Sequence, residues 1–272
     1  MKKYSLALWG WWARWFIHVG VLKYLEENEI SITEVSWTSM WAIIWSMIAI
    51  KMSYLDIIDF AKDLNFFKLV DIDLKTWLLK WNKIEEKLLE IFWDKNIEDC
   101  EIPLKIISTN IEISESRVFD SWKIIDAIRA SISLPWIFIP KEIDSEFYVD
   151  GWIMMNLPID ILSWKNVIAV SALKINTWKI VKEKNVLWIN FKTGFWKNNY
   201  EIIKRSVIAM MKVNEEDSLR TKWKKIDLIR PNFWELDIMD FWKLDDFIEL
   251  GYKEAKNSLS LEFSPPSGER GA

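Results

Sequence analysis

The sequence predicts a three-layer α/β fold with a largely parallel central sheet. Segments with strand-like and helix-like apolar spacing alternate along most of the chain, as they do when helices connect the strands of one sheet. Two of the predicted strands are continuous apolar runs, which is typical of strands covered on both faces. The chain has 272 residues, of which 51% are hydrophobic and 28% are charged. We therefore expect one globular domain over residues 1–260.

The order of the elements follows from the spacing of apolar residues. YSLAL at 4–8 predicts a short buried strand, and FIHVGVLKYLEEN at 16–28 predicts a helix with a charged end. Further helices are expected at 40–51, 53–63, 83–93, 122–130, 198–213 and 243–258. Further strands are expected at 33–36, 104–109, 115–119, 146–149, 166–171, 186–191 and 226–230. Residues 261–272 lack apolar periodicity and are expected to be a disordered tail or a non-native extension.

Composition and charge exclude several classes of protein. A net charge of −4 provides no basic surface, so nucleic acid is not an expected partner. The single cysteine, Cys100, excludes an internal disulfide framework and favours the cytoplasm. The single histidine, His18, excludes a His-rich metal site, and no metal ion or cofactor is expected. Arg14 interrupts the N-terminal apolar run and no small-residue cleavage site follows, so we do not predict a signal peptide.

The ratio of tryptophan to glycine is unusual. The chain has 20 tryptophans and 7 glycines, whereas glycine alone ordinarily makes up about 7% of a protein. Trp37, Trp41 and Trp45 are spaced by four residues and could form one apolar helix face. That interpretation fails for residues 9–15, where four of seven residues are tryptophan. It also fails for tryptophans in turn-like contexts, where glycine is usual.

We therefore hypothesise that most of these tryptophans stand where the protein has glycine. Such a replacement arises if UGA codons encode glycine in the source and are translated as tryptophan, because both reassignments of UGA occur among bacteria. With glycine in their place, LALWGWWARW at 6–15 becomes a glycine-rich loop between a strand and a helix. SWTSMW at 36–41 then contains a G-x-S-x-G motif.

The loop at 9–15 has two interpretations. In glycine form, its backbone N–H groups would face an anion at a helix N-terminus, and that anion could be an oxyanion or a phosphate. The same residues also match the dinucleotide motif G-x-G-x-x-G, and Glu34 lies about 20 residues further on. The loop alone does not decide between these functions.

The motif around Ser39 favours a hydrolase. It follows a short apolar strand and precedes an apolar helix, which is the context of a nucleophile elbow. In such an elbow the strand and the helix pack closely, so the residues that flank the serine must be small. The glycine hypothesis meets this requirement at positions 37 and 41, where the printed sequence has Trp37 and Trp41. The alternative is an ordinary serine N-cap on a core helix.

A serine nucleophile needs a base, and the sequence offers a carboxylate rather than a histidine. His18 precedes the serine and lies within the first predicted helix, where we expect it to be packed. Asp150 follows the strand EFYV and opens the sequence Asp150-Gly151-Trp152, so its side chain would lie at a strand end. Asp150 is therefore the candidate base, and a simple turn residue is the alternative.

At these positions the chain resembles the patatin-like phospholipases. The resemblance covers roughly residues 4–258. Its anchors are the loop with Arg14, the segment FIHVGVL, the motif around Ser39, RASISLPWIFIP at 129–140 and the D-G element at Asp150. The differences are tryptophans in place of glycines, at positions 9, 11, 12, 15, 37, 41, 136 and 152.

The resemblance implies a patatin-like fold and a Ser-Asp dyad that hydrolyses fatty-acyl esters without a cofactor. Ser39 would be the nucleophile and Asp150 the general base. The oxyanion hole would be formed by the backbone of Gly10, Trp11 and Trp12, in a loop that Arg14 helps to hold. The motif positions are Trp37, Trp41, Gly151 and Trp152. The partner would be a lipid or ester substrate, with transient contact at a membrane surface.

Three other functions stay open at this point. The first is a nucleotide-binding α/β module that uses the loop at 10–15. The second is a membrane or carbohydrate binder, which predicts tryptophans clustered on one exposed face. The third is a catalytically inactive relative of the phospholipases.

Overall fold

The computed structural model describes most of the chain. The described residues are 2–9, 14, 16–39, 42–63, 71–72, 79–80, 82–135, 137–173, 193–233 and 243–260. Several predicted features lie outside them: Gly10, Trp11, Trp12, Trp41, the strand at 186–191 and the C-terminal segment 261–272.

The helices and strands alternate along the chain as the sequence predicts. The helices are α1 (Phe16–Glu27), α2 (Ala42–Ala49), α3 (Tyr54–Asp63), α4 (Asn82–Phe92), α5 (Ile124–Ser131), α6 (Thr193–Leu219) and α7 (Leu244–Ser260). The first strands are β1 (Lys3–Trp9), β2 (Ser31–Thr38), β3 (Asp71–Ile72), β4 (Leu79–Lys80) and β5 (Leu104–Asn110). The others are β6 (Glu115–Phe119), β7 (Lys141–Ile143), β8 (Glu146–Asp150), β9 (Asn166–Ser171) and β10 (Lys225–Ile229).

The differences from the predicted elements concern lengths and three short strands, of which β3 and β4 have two residues each. Helix α6 extends from Thr193 to Leu219, beyond the predicted 198–213 at both ends. Strand β7 was not predicted, because three residues are too few to show a period. It pairs with β8 across the turn at Asp144 and Ser145, both of which have positive φ.

Within the described residues, eight strands form one sheet with the order β10-β9-β1-β2-β5-β8-β7, and β6 also pairs with β5. The five strands from β10 to β5 are parallel to one another. Strands β6 and β8 are antiparallel to β5, and β7 is antiparallel to β8. The predicted α/β fold with a largely parallel sheet is thus confirmed, with an antiparallel part at one end.

The core lies on both faces of the parallel strands. Residues 4–9 of β1 are all buried, so side chains pointing to either face are covered. Helices α1 and α7 pack together so closely that a Cβ atom on Gly20 would lie 2.0 Å from the carbonyl oxygen of Ile248. This helix pair therefore requires glycine at position 20.

Candidate active site

Ser39 lies directly after β2 and before α2. Strand β2 ends at Thr38 and α2 begins at Ala42. The backbone of Ser39 has φ 76°, in the left-handed region that residues other than glycine rarely adopt. Its backbone N–H donates to Ser131 Oγ at 2.9 Å, and the residue is buried. A serine held in this strained conformation is typical of functional turns.

Strand β5 brings Asp150 to the same place. Thr38, the last residue of β2, pairs with Ile107 of β5. Asp150, the last residue of β8, pairs with the next residue of β5, Ser108. The end of β2 and the end of β8 are therefore aligned by neighbouring residues of one strand.

The side chains of Ser39 and Asp150 are in direct contact. Ser39 Oγ donates to Asp150 Oδ2 at 2.5 Å, and the backbone N–H of Trp152 donates to Oδ1 at 3.1 Å. The backbone of Asp150 is also held on both sides: its N–H donates to the carbonyl of Ser133 at 2.9 Å, and its carbonyl accepts from Thr109 Oγ1 at 3.2 Å. Ser39 and Trp152 thus orient the carboxyl group, while contacts to two other segments hold the backbone of Asp150.

The buried environment changes the protonation of Asp150. Its side chain is fully buried, and burial raises its pKa from 3.8 to about 8. The hydrogen bonds from Ser39 and the Trp152 N–H act in the opposite direction but do not offset the burial. A carboxyl group with a pKa near neutral pH can accept and return a proton, as general-base chemistry requires.

Gly151 allows the chain to turn directly after Asp150. A Cβ atom at this position would lie 2.5 Å from the carbonyl oxygen of Ile107. The turn formed by Gly151–Ile153 therefore packs against the backbone of β5, which places the Trp152 N–H beneath the Asp150 carboxyl group.

Arg14 lies between β1 and α1 in sequence and contacts the residue that follows β9. The side chain is buried, its Nη1 donates to the carbonyl of Ala172 at 3.3 Å, and its guanidinium lies 4.6 Å from the ring centroid of Phe233. The N–H of Ala172 in turn donates to the carbonyl of Trp9 at 2.8 Å. The expected role of Arg14 in holding the loop is compatible with these contacts, although Gly10, Trp11 and Trp12 lie outside the described residues.

His18 does not belong to this constellation. It lies on α1 with no exposed surface, and its ring packs edge-on against Trp37 and Trp45 at 6.3 and 6.4 Å between centroids. Burial lowers its pKa to about 3, while a hydrogen bond with the backbone of Trp9 acts in the opposite direction. It is therefore a neutral, packed helix residue, as the sequence predicts.

Glu34 is engaged within the protein rather than aimed at a ligand. Its Oε1 accepts from Ser5 Oγ at 2.8 Å and from the N–H groups of Ser163 and Trp164 at 2.6 and 2.7 Å. Its Oε2 lies 3.4 Å from Lys105 Nζ. Burial raises its pKa, but these hydrogen bonds and Lys105 more than offset that effect. The nucleotide-binding alternative needs this carboxylate for a ribose, so it loses one of its two sequence features.

An apolar cavity of about 440 Å³ is lined in part by Val149 and Trp152, which flank Asp150 and Gly151 in the sequence. Its volume is within the range of about 300–1,000 Å³ that is usual for small-molecule sites. The lining residues are Ile111, Pro135, Phe138, Pro140, Val149, Trp152, Ile153 and Met210.

Sequence reasoning missed two residues that contact the candidate dyad. Ser131 and Ser133 lie in the segment RASISLPWIFIP, which carried the family resemblance without any assigned role. The hydrogen bond from the Ser39 N–H to Ser131 joins residues that are 92 positions apart in sequence. The hydrogen bond from the Asp150 N–H to the Ser133 carbonyl joins β8 to the segment after α5. No local pattern of apolar or polar residues indicates such contacts.

Comparison with known proteins identifies the family. Residues 10–163 match the family described as patatin-like phospholipase. Because this match covers more than half of the chain, the chain belongs to the patatin-like phospholipase family, a family of lipid hydrolases.

Individual relatives are similar over part of their own length. An uncharacterised NTE family protein of Mycobacterium tuberculosis is 29% identical over 177 residues, covering 63% of this chain and 49% of that protein. Patatin-like phospholipase domain-containing protein 7 of Rattus norvegicus is 26% identical over 284 residues, covering 94% of this chain and 20% of that protein. The chain thus spans about half of the first relative and a fifth of the second.

A solved structure supports the fold. The crystal structure of VipD from Legionella pneumophila matches with a TM-score of 0.56 and 14% identity, covering 96% of this chain and 67% of that chain. At this identity the likeness concerns the fold alone. In the part of the chain that the structure describes, no helix combines the length and apolar character needed to cross a bilayer.

The raised pKa of Asp150 predicts a pH-dependent stability. Between about pH 4 and pH 8 the unfolded chain ionises this carboxyl group while the folded chain keeps its proton, so folding loses stability as the pH rises through this window. Urea unfolding at pH 5 to 9 should compare the parent chain, which keeps Asp150, with the Asp150→Asn variant. As the pH rises, the free energy of unfolding of the parent should fall relative to that of the variant. The difference should level off above pH 8.

The exposed turn residue Asp144 provides the control for this measurement. Asp144→Asn should leave the pH dependence of the parent unchanged. A difference between the parent and Asp150→Asn that is independent of pH would show that the carboxyl group is ionised throughout.

Proposed function

We propose that this protein is a serine acyl hydrolase that cleaves fatty-acyl esters of phospholipids or related lipids through a Ser39–Asp150 dyad. The observation that carries the proposal is the hydrogen bond of 2.5 Å between Ser39 Oγ and the buried Asp150 carboxyl group. The chain has a single histidine, His18, and it is packed in the core with a pKa of about 3. A carboxylate is therefore the base within reach of the serine.

In the proposed reaction, ionised Asp150 takes the hydroxyl proton of Ser39 as Oγ attacks the acyl carbonyl carbon. The tetrahedral intermediate collapses, the alcohol leaves with that proton, and the acyl group stays bound to Oγ. Asp150 then takes a proton from water, which attacks the acyl-enzyme. The fatty acid departs and Ser39 recovers its proton.

The loop after β1 would stabilise the oxyanion of both intermediates. We assign this role to the backbone N–H groups of Gly10, Trp11 and Trp12, with Arg14 holding the loop against Ala172. Loss of one such donor typically lowers the rate by about 10²–10³-fold. The left-handed conformation of Ser39 supports its own assignment as the nucleophile, because a nucleophile elbow turns the hydroxyl group out of the strand.

The cavity of about 440 Å³ would hold the acyl chain. Its lining is apolar and includes Val149 and Trp152, which flank Asp150 and Gly151 in the sequence. Phe138 contributes to the lining as well. A fatty-acyl group is the kind of ligand that such a surface binds through the hydrophobic effect.

We further propose that a lipid surface touches the protein at the entrance of this cavity. Ile111 and Met210 line the cavity and are about half exposed. Ile137 and Met154 are exposed as well, and each is next in sequence to a lining residue. Exposed apolar residues around a substrate site are typical of interaction surfaces. This arrangement supports transient contact with a membrane that contains the substrate.

We also propose that most of the 20 tryptophans represent glycines encoded by UGA. Trp93 and Trp122 have φ of 48° and 143°, in the region that favours glycine. Among the described residues, the buried indole N–H groups of Trp9, Trp45 and Trp152 have no hydrogen-bond acceptor. A buried donor without a partner costs about 1–3 kcal/mol. The contact of Trp152 with Asp150 uses its backbone, so glycine would preserve it.

The tryptophans give little support to the hypothesis of an aromatic binding surface. Trp9, Trp37, Trp45 and Trp152 are buried in the core. Trp93 follows α4 and is exposed, as are Trp164 and Trp223, which precede β9 and β10. One exposed aromatic face would need the buried residues on the surface instead.

The codons decide the recoding proposal, and the expected codon at most of the 20 positions is UGA. The chain with 20 tryptophans should then be insoluble or inactive, because each overpacked site costs about 1–3 kcal/mol against a total stability of about 5–15 kcal/mol. The glycine-substituted chain should be soluble. The glycine-substituted chain is then the parent from which every variant is made. UGG codons at these positions would refute the proposal and would make the printed sequence the parent.

Substitutions of the dyad test the proposed function. The parent should hydrolyse short p-nitrophenyl esters, and Ser39→Ala should abolish this activity because no acyl-enzyme can form. Asp150→Asn should lower kcat by roughly 10²–10⁴-fold, since it removes the general base. The activity of the parent should rise with pH to a plateau above about pH 8, where Asp150 is ionised.

Ser46→Ala is the matched control, because Ser46 is a fully buried serine on α2 whose hydroxyl has no hydrogen-bond partner among the described residues. It should keep the parental activity. A Ser39→Ala variant as active as the parent would refute the dyad. A folded parent that hydrolyses no ester would instead indicate an inactive family member.

A further inference from the structure

The segment that follows helix α5 contacts both members of the candidate dyad. Ser131, the last residue of α5, accepts the backbone N–H of Ser39 on its Oγ at 2.9 Å. Two residues later, the carbonyl of Ser133 accepts the backbone N–H of Asp150 at 2.9 Å. Ser131 and Ser133 are both fully buried.

The contact of Ser131 is of a particular kind. Backbone N–H groups are usually satisfied within helices or sheets, but Ser39 has left β2 and adopts a left-handed conformation. Its N–H is instead bound by a side chain that is distant in sequence. The conformation costs roughly 1–2 kcal/mol, so a specific contact must help to maintain it.

The segment itself is fixed from the other side. Arg129 Nη1 donates to Ser133 Oγ at 3.2 Å, and the same hydroxyl donates to the carbonyl of Arg129 at 2.7 Å. The guanidinium of Arg129 is also 3.8 Å from the carboxylate of Glu85 on α4. Residues 131–133 are therefore held by the helix layer on one side and contact the residues at the ends of β2 and β8 on the other.

We propose that Ser131 is a positioning residue that sets the separation of the Ser39 hydroxyl and the Asp150 carboxyl group. The Ser131 hydroxyl fixes the backbone of Ser39, and the Ser133 carbonyl two residues away fixes the backbone of Asp150. One short segment thus fixes the backbone positions of both residues, and the contact of 2.5 Å between their side chains depends on those positions. The catalytic consequence rests on the function proposed above, whereas the geometric claim does not.

The test compares substitutions that retain or remove the hydrogen-bond acceptor at position 131. Ser131→Cys nearly preserves the shape but offers only a weak acceptor, Ser131→Ala removes it, and Ser131→Thr retains a hydroxyl group. Ser46→Cys is the matched control, a buried serine whose hydroxyl has no partner among the described residues. For each folded variant we would measure kcat and KM with p-nitrophenyl butyrate, and the Ser39–Asp150 distance by crystallography.

We expect Ser131→Cys and Ser131→Ala to lower kcat about tenfold or more, on the order of the loss of one buried hydrogen bond. KM should stay within about twofold of the parent, because Ser131 does not contact substrate. The crystal structures should show the Ser39 Oγ to Asp150 Oδ2 separation lengthened beyond hydrogen-bonding distance. Ser131→Thr should restore most of kcat, and Ser46→Cys should match the parent.

Parental kcat and an unchanged dyad distance in both Ser131→Cys and Ser131→Ala would overturn the proposal. An equal loss in Ser46→Cys would do so as well, because it would indicate a general effect of changing buried serines. If the parent hydrolyses no ester, the proposed function fails, and the dyad distances still decide the role of Ser131.

Discussion

The buried hydrogen bond between Ser39 and Asp150 is the contact on which the site depends. Ionising a fully buried carboxyl group is unfavourable, and this raises the pKa of Asp150 to about 8. The same burial strengthens the interaction between the ionised carboxylate and a hydroxyl donor, because little water competes for either group. The fold must therefore hold both residues at close range, since neither has an alternative partner in solvent.

The architecture meets this requirement through one strand. Neighbouring residues of β5 pair with the last residues of β2 and β8, and Gly151 lets the chain turn against the backbone of β5 directly after Asp150. The segment after α5 then binds the backbones of both residues from the helix layer. Sheet and helices thus converge on two positions that are 111 residues apart in sequence.

Periodicity was sufficient to predict the parallel sheet and most helices, because apolar spacing is a local property. The motifs also indicated Ser39 and Asp150, since a strand end followed by a turn marks each of them. The roles of Ser131 and Glu34 could not be predicted from local sequence patterns. Ser131 acts through a contact across the fold, and Glu34 binds Ser5 and the backbone near residue 163 instead of a ribose. Strand β7 was too short to show a period.

The most direct test of the Ser39–Asp150 dyad is covalent labelling of the parent chain with a fluorophosphonate probe, followed by peptide mass spectrometry. The dyad predicts one adduct, on Ser39, that forms at least about tenfold more slowly in Asp150→Asn because the general base is missing. An adduct on another residue, or labelling of Ser39 at the parental rate in Asp150→Asn, would contradict it.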